Sequence, residues 1–551
     1  MSTIRHTVGL IAVWAGILVG GGRAGAQPAA AQPAAAQPIA GWKRGAVCYE
    51  VFVRSFFDSD GDGIGDLNGL TQKLDYINDG NPASTRDLGA RCIWLMPVVA
   101  SPSYHGYDAT NYYRVNPQYG TNADFRRFVA AAHRRGIRVL VDMVLNHVSS
   151  EHPAFKSALI DPNSPYRSWF RWSQAKPDQK GPWGQEVWHK SPERDEYYYG
   201  VFWEGMPDLN YDTPAVREEA EKIARFWLDS MSVDGFRLDA VPYLVEEGSQ
   251  LAGTAGTHEL LRQYASYVHR IAPRAFTVGE VWDSVGAVAA YYPDQLDSYF
   301  TFELSDALID AVRTGSAARL LDGYVRMQRM ERADRWSPFL RNHDQTRTMT
   351  ALGGDVARAK LAATLLLTLP GFPFVYYGEE IGMTGDKPDP RIRTPMQWRP
   401  GSAAGFTRGL PWEPLQPDSM TANVEELEHD PGSLLHLYRT LIHLRGRNSA
   451  IALGELVPLR TNNPAVAAYL RRDGRNVVLV VANLSASPIG GVAIASGAGA
   501  LPPGGYALKA LLGNAIARPL TADADGRVSG YVPLATLGAT TSYVFALVRR
   551  E

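Results

Sequence analysis

Four hydrophobic segments that each end in polar side chains constrain this chain more than any other feature. They are Val141-Asp142-Met143-Val144-Leu145-Asn146-His147, Gly235-Phe236-Arg237-Leu238-Asp239-Ala240, Val278-Gly279-Glu280-Val281-Trp282 and Phe339-Leu340-Arg341-Asn342-His343-Asp344. Each reads as a short buried strand with its chemistry at the C-terminal end. That is the arrangement of a parallel α/β barrel, whose site is assembled from the loops after several strands. Residues i and i+2 of a strand face the same side, so Arg237 and Asp239 share one face, where the guanidinium can hold the carboxylate ionised. Alone, such a pair serves equally well as a buried support for a sheet. Four such segments along one barrel-sized length argue for a site.

Further strands are expected at residues 46–53, 91–97, 298–302 and 373–377, and the last of the four segments ends a strand at 336–341, which completes eight. Amphipathic helices are expected between them, one of them over residues 122–135 with Gly136 as its stop. The fold expected is α/β, a (β/α)8 TIM barrel over residues 41–147 and 214–445. Strand-helix alternation stops after His147 and resumes near Pro214. A connection that long predicts a small inserted domain, residues 148–213. Its aromatics, among them Trp169, Trp172, Trp183, Tyr198 and Phe202, are expected to form its own core, with a minority offering flat faces to a ligand. Beyond residue 446, alternating apolar runs separated by Gly, Pro and Asn turns predict a C-terminal antiparallel β-sandwich domain, residues 446–551.

A net charge of -2 with no Lys/Arg run excludes the basic footprint of a nucleic-acid binder. Arg5 and His6 precede an apolar run over residues 8–22, and Ala24-Gly25-Ala26 supplies small residues for cleavage. Residues 1–26 therefore read as a signal peptide, and the protein as secreted or periplasmic. The run is short for a bilayer span and diluted by glycine, so no stable membrane anchor is expected after cleavage. Residues 27–40 form an Ala/Pro-rich tether. Cys48 and Cys92 fall on neighbouring expected core strands and are expected to be two buried free thiols rather than a disulfide. After the first strand, Asp58-Ser59-Asp60-Gly61-Asp62-Gly63-Ile64-Gly65-Asp66 spaces oxygen ligands alternately around glycines, as calcium loops do, although an EF-hand's closing Glu is absent and a solvated acidic turn would read similarly.

From residue 42 to about residue 445 the chain resembles the α-amylase family of retaining glycoside hydrolases, with the four segments in the family's order. The resemblance implies Asp239 as nucleophile, Glu280 as acid/base, and Asp344 as a third acid favouring a distorted, charged transition state. It implies that Tyr107, Asp108, His147, Arg237 and His343 bind substrate, Asp108 holding a terminal glucose in exo-acting members. It also implies Ca2+ on Asp58, Asp60, Asp62, the Ile64 carbonyl and Asp66. Asp142 and Asn146 are assigned to supporting the site. Met206-Pro207-Asp208-Leu209-Asn210 resembles the marker of an intermediate subgroup, between oligo-1,6-glucosidase-like enzymes and neopullulanases. The expected activity is hydrolysis of α-1,4-glucan, starch and maltooligosaccharides, by a monomer. An α-glucosidase, or a glucosyl-transferring or trehalose-forming relative, shares all these catalytic residues, and Asp239-Ala240-Val241-Pro242-Tyr243-Leu244 resembles the latter locally.

Overall fold

A computed structural model describes residues 41–550. The leader and tether assigned to residues 1–40 lie outside the described residues. Eight parallel strands form one sheet: β1 (Cys48–Val51), β2 (Cys92–Leu95), β3 (Arg138–Met143), β4 (Gly235–Leu238), β5 (Phe276–Gly279), β6 (Ser298–Phe300), β7 (Trp336–Ser337) and β8 (Phe374–Tyr376). They pair in sequence order from β1 to β7, with β8 on the free side of β1. The Phe372 amide donates to the Trp336 carbonyl (2.7 Å) and the Phe374 amide to the Pro338 carbonyl (2.9 Å), which brings β8 against β7 and closes the barrel. The expected (β/α)8 fold is present.

Side-chain alternation along the strands sorts the barrel into layers. Tyr49, Val51, Ile93, Leu95, Val141, Phe236 and Leu238 join the apolar layer shared with the surrounding helices. Their neighbours Cys48, Cys92, Trp94, Leu140, Phe276, Val278, Phe300 and Phe374 fill the interior. Two residues beyond these inward positions stand Glu50, Asp142 and Glu280, and β4 places Arg237 and Asp239 on the same inward phase. A polar layer therefore rests on an apolar plug. Gly235 makes room for it, with φ 154° and a backbone so close to β5 that a Cβ would sit 1.9 Å from the Phe276 carbonyl oxygen. Only glycine fits there.

Between β3 and helix Pro214–Arg225 lie helix Pro153–Ile160 and a three-stranded antiparallel sheet of Trp172–Ser173, Tyr197–Tyr199 and Trp188–Lys190. Phe155 packs on Phe170, Trp172 and Tyr198 at 4.9–5.9 Å between ring centroids, in a cluster continuous with the barrel's apolar layer, whereas Trp183 is 61% exposed. The C-terminal part is a seven-stranded antiparallel sheet, partnered by a two-stranded ribbon of Ile489–Gly490 and Thr536–Leu537. Along Asn476–Asn483, Val478, Val480 and Ala482 join the barrel's apolar layer, while Val477, Leu479 and Val481 face a separate C-terminal core. Among the described residues no helix is long and apolar enough to cross a membrane.

The expectation of two free thiols is corrected: Cys48 and Cys92 form a disulfide. They stand opposite each other in the β1–β2 register with Cα atoms 4.3 Å apart, and both side chains point into the barrel. The bond closes a loop with a sequence separation of 44, which in chain-entropy terms limits its stabilisation to about 4 kcal/mol. Thiol titration of the unreduced, denatured protein is expected to find no free thiol. The double substitution Cys48→Ala, Cys92→Ala should lower the unfolding free energy by about 2–4 kcal/mol in denaturant titrations. Two reactive thiols in the unreduced protein would contradict the bond.

Candidate active site

A cavity of about 590 Å³ opens at the C-terminal ends of the strands. Asp239, Glu280, Asp344, Tyr107 and His147 line it together with Arg393 and Asp389. Beneath them Arg237 is completely buried and makes four short contacts. Its Nη1 donates to both oxygens of Asp142 (2.9 and 3.1 Å) and to Asp239 Oδ1 (2.5 Å), and its Nη2 donates to Glu280 Oε2 (2.7 Å). One cation is thus shared among three carboxylates. Immediately after Asp239 the chain turns through Ala240 in the left-handed region (φ 48°, ψ 35°), which aims the Ala240 amide at Glu280 Oε2 (3.1 Å). A non-glycine residue held there is strained backbone at a site.

The electrostatics divide the acids. Burial raises Asp239 to about 6 although Arg237 pulls it down, and Asp142 adds to the rise. Burial raises Glu280 to about 7, against Arg237 and with the help of Asp239 and Asp344. Both hydrogen bonds that Glu280 accepts end on Oε2, so Oε1 is the oxygen that can carry a proton into the cavity. Asp344 goes the other way: burial alone would raise it, but His343, Arg393 and Arg237 hold it far below the usual carboxylate range. Trp282 contributes little enclosure, being 54% exposed and stacked on Phe302.

The remaining expected substrate binders are engaged as follows. His343 is fully buried under Tyr107, with the two rings stacked at 5.6 Å. Its Nδ1 faces Glu50 Oε1 at 2.6 Å, and its Nε2 faces the Tyr107 hydroxyl (2.6 Å) and Asp344 Oδ2 (3.1 Å). Burial opposes the charge, yet Asp344 and Glu50 raise the imidazole to about 9. The Tyr107 hydroxyl donates onward to Asp142 Oδ2 at 3.0 Å. His147 is kept neutral by burial, which lowers it to about 4, and its Nε2–H is spent on the Tyr107 carbonyl at 3.1 Å. Asp108 is not part of the cavity lining; it is buried and accepts from the Ser101 hydroxyl (2.6 Å) and that of Ser103. Arg393 donates to Asp344 (2.8 Å), to Asp389 (3.2 Å) and to the His343 carbonyl (2.9 Å).

Glu50 and Asp389 are functional candidates outside the four polar-ended segments. Glu50 was within reach of strand alternation, two residues after inward-facing Cys48; Asp389 follows the last barrel strand and carries no comparable local signal. In the acidic loop, oxygens of Asp58, Asp60 and Asp66 lie within 4.8 Å of one another, a span that one cation with ligands at ~2.4 Å can bridge. Asp62 is outside that group, its Oδ1 accepting from the Ile64 amide (2.8 Å). None of these loop residues lines the cavity.

The alpha amylase catalytic-domain family matches residues 50–454. The chain is 40% identical to alpha-amylase 3 of Dictyoglomus thermophilum, covering 81% of this chain and 85% of that protein. It is 36% identical to a trehalose synthase/amylase of Mycolicibacterium smegmatis, with 81% and 85% covered. The crystal structure of an alpha-amylase from H. orenii superimposes with a TM-score of 0.79 at 39% identity, covering 92% of this chain and all (100%) of that one.

The His343 charge carries a stability consequence. Its folded value of about 9 lies above the usual 6.5, so its contribution of ~3 kcal/mol is fully present below pH ~6.5 and is lost as pH rises through ~9. Glu50→Gln removes one of the two acids that raise it. Chemical denaturation between pH 6 and 10 is expected to show the variant losing at least ~1 kcal/mol less than wild type over that window. Superimposable pH profiles would rule out the Glu50–His343 pairing.

Proposed function

The chain belongs to the α-amylase family of glycoside hydrolases, and from that premise we propose an exported enzyme that hydrolyses α-1,4-glucosidic bonds in starch and maltooligosaccharides with retention of configuration. The observation that carries the reading is Arg237, which ties Asp239 and Glu280 to one guanidinium while leaving Glu280 Oε1 free. With values of about 6 and about 7, Asp239 is the member that ionises first and Glu280 the one that keeps a proton.

In the first step an Asp239 oxygen attacks the anomeric carbon while Glu280 gives its proton to the departing glycosidic oxygen; one C–O bond forms and one breaks, leaving a glycosyl ester on Asp239. Glu280, now ionised, takes a proton from water, the water oxygen attacks the same carbon, and the ester bond to Asp239 breaks. Two inversions restore the α configuration. Asp344 faces the positive charge that develops on the sugar, and its strong ionisation keeps that stabilisation in place. Arg393, bound to Asp344 and Asp389, fixes its direction. Tyr107 offers its ring as the platform for the sugar being cleaved.

The small Ala240 beside the nucleophile matches α-1,4-specific relatives and supports that linkage. Asp108, tied to its own loop, offers little to a terminal glucose, which favours internal attack on a polymer. Export is supported by the leader-like residues 1–26 and by the Cys48–Cys92 disulfide, a bond that persists in oxidising compartments. A trehalose-forming activity is the second reading, favoured by the 36% identity to a trehalose synthase/amylase. The acidic loop would hold calcium through Asp58, Asp60 and Asp66, with the Ile64 carbonyl as the further ligand implied by the family; the ion would tie the loop to β1 and supply no catalytic step.

Maltoheptaose blocked at its non-reducing end is expected to be cleaved internally, with the released sugar first appearing as the α anomer by NMR. Complete resistance would replace the amylase reading by an α-glucosidase, a β anomer would overturn the roles of Asp239 and Glu280, and conversion of maltose to trehalose in place of hydrolysis would favour the second reading. Chelator is expected to lower the melting temperature of the purified protein, and added calcium to restore it. A melting temperature indifferent to both would leave the loop a solvated turn.

A further inference from the structure

The loop after β3 has two sides. His147 faces the active cavity, whereas Leu145 and Val148 line a second cavity of about 430 Å³, bounded by the insert and helix Pro214–Arg225. The two cavities share no lining residue. The volume lies within the ~300–1,000 Å³ of small-molecule sites, and the proposed chemistry makes no use of it.

Its lining combines flat aromatic faces with polar edges. Tyr113, Tyr166 and Trp169 supply the faces, with Tyr166 37% exposed and set edge-on to half-buried Trp169 at 5.1 Å. Glu219 supplies a carboxylate, which accepts from the Tyr113 hydroxyl at 2.7 Å, with Lys222 Nζ 3.6 Å away. His152 supplies a free donor: its Nδ1 accepts from the Ala154 amide (3.2 Å), and burial keeps the ring neutral by lowering it to about 4. The proton is therefore on Nε2, which has no hydrogen-bond partner among the described residues.

We propose that this cavity is a second binding site for a neutral glucan segment. A pyranose ring presents an apolar C–H face that suits Trp169 and Tyr166, and a rim of hydroxyls that can pair at once with a carboxylate, an ammonium and an N–H. Glu219 and Lys222 offset one another's charge, which selects against an anionic ligand. Because the site stands on the other side of the loop that carries His147, a polymer held there raises the local concentration of neighbouring chain at the active cavity. The inference rests on the glucan-hydrolase reading and adds a polymer-specific function to it.

The test uses the full chain and two variants, Trp169→Ala and Tyr166→Ala, in native gels containing soluble starch and in kinetics on soluble starch and maltotriose. The expected result is several-fold weaker retardation by starch and a several-fold higher KM for starch, with kcat/KM on maltotriose within twofold of wild type and unchanged melting temperatures. Tyr166, at the surface, keeps the test valid if the Trp169 variant is destabilised. Retardation equal to wild type in both variants overturns the site, and so does an equal loss on starch and maltotriose, which would indicate a purely structural effect. A wild-type protein that is retarded by starch but does not cleave maltotriose would separate failure of the hydrolase reading from failure of this one.

Discussion

The arrangement depends on a single buried cation. Arg237 is fully buried, yet three carboxylates converge on its guanidinium. Burying a charge without partners is costly, and removing one partner of a buried pair costs about 3–5 kcal/mol, so the fork and its acids fix one another. Lysine could not replace it: a point charge cannot direct two nitrogens to Asp239 and Glu280 while also holding Asp142. The surplus of acid over cation in turn leaves both Asp239 and Glu280 above the usual carboxylate range, at about 6 and about 7, and Glu280, the higher, is the one that keeps a proton.

A second chain of contacts supports the same floor from the other side. Glu50 holds His343, His343 faces both Asp344 and the Tyr107 hydroxyl, and that hydroxyl returns to Asp142 on Arg237. The two histidines of this layer therefore act differently. His343 is charged and sets the state of Asp344, whereas His147 is neutral and anchors the backbone of Tyr107. On their own residue types the two are indistinguishable; what separates them is the acids that the barrel brings to one and withholds from the other.

Much of this was legible in the sequence because strand periodicity is local. Arg237 and Asp239 two apart, and polar residues ending four hydrophobic runs, already imply an inward polar layer on a barrel, and all eight strands overlap the expected segments, although β3 and β5 each begin two or three residues before theirs. The parts that were not legible depend on register and on long-range approach. That Cys48 and Cys92 stand directly opposite is a property of the β1–β2 register, which no local pattern of either strand encodes. Asp108 illustrates the converse: the side chain sits where the motif puts it in sequence, but Ser101 and Ser103 of its own loop take its oxygen. Arg393 and Asp389 reach the site from beyond the last strand, where no barrel rule indicates which side chains turn back.

The same geometry bears on how hydrolysis and transfer divide. Both reactions use the same three acids, so the difference lies in what meets the glycosyl ester after the leaving group departs. In the proposed mechanism the departing oxygen takes the Glu280 proton, which puts the acceptor on the wall that follows Glu280 in the chain, where Trp282 and Asp283 line the cavity. Trp282 lies flat on Phe302 and is 54% exposed, so it offers a sugar-sized face without sealing the wall against water. A transferase must exclude water from that position while an acceptor sugar is bound. An acceptor wall carried on a half-exposed ring does so poorly, and that is the physical ground on which the proposed function ranks hydrolysis above transfer.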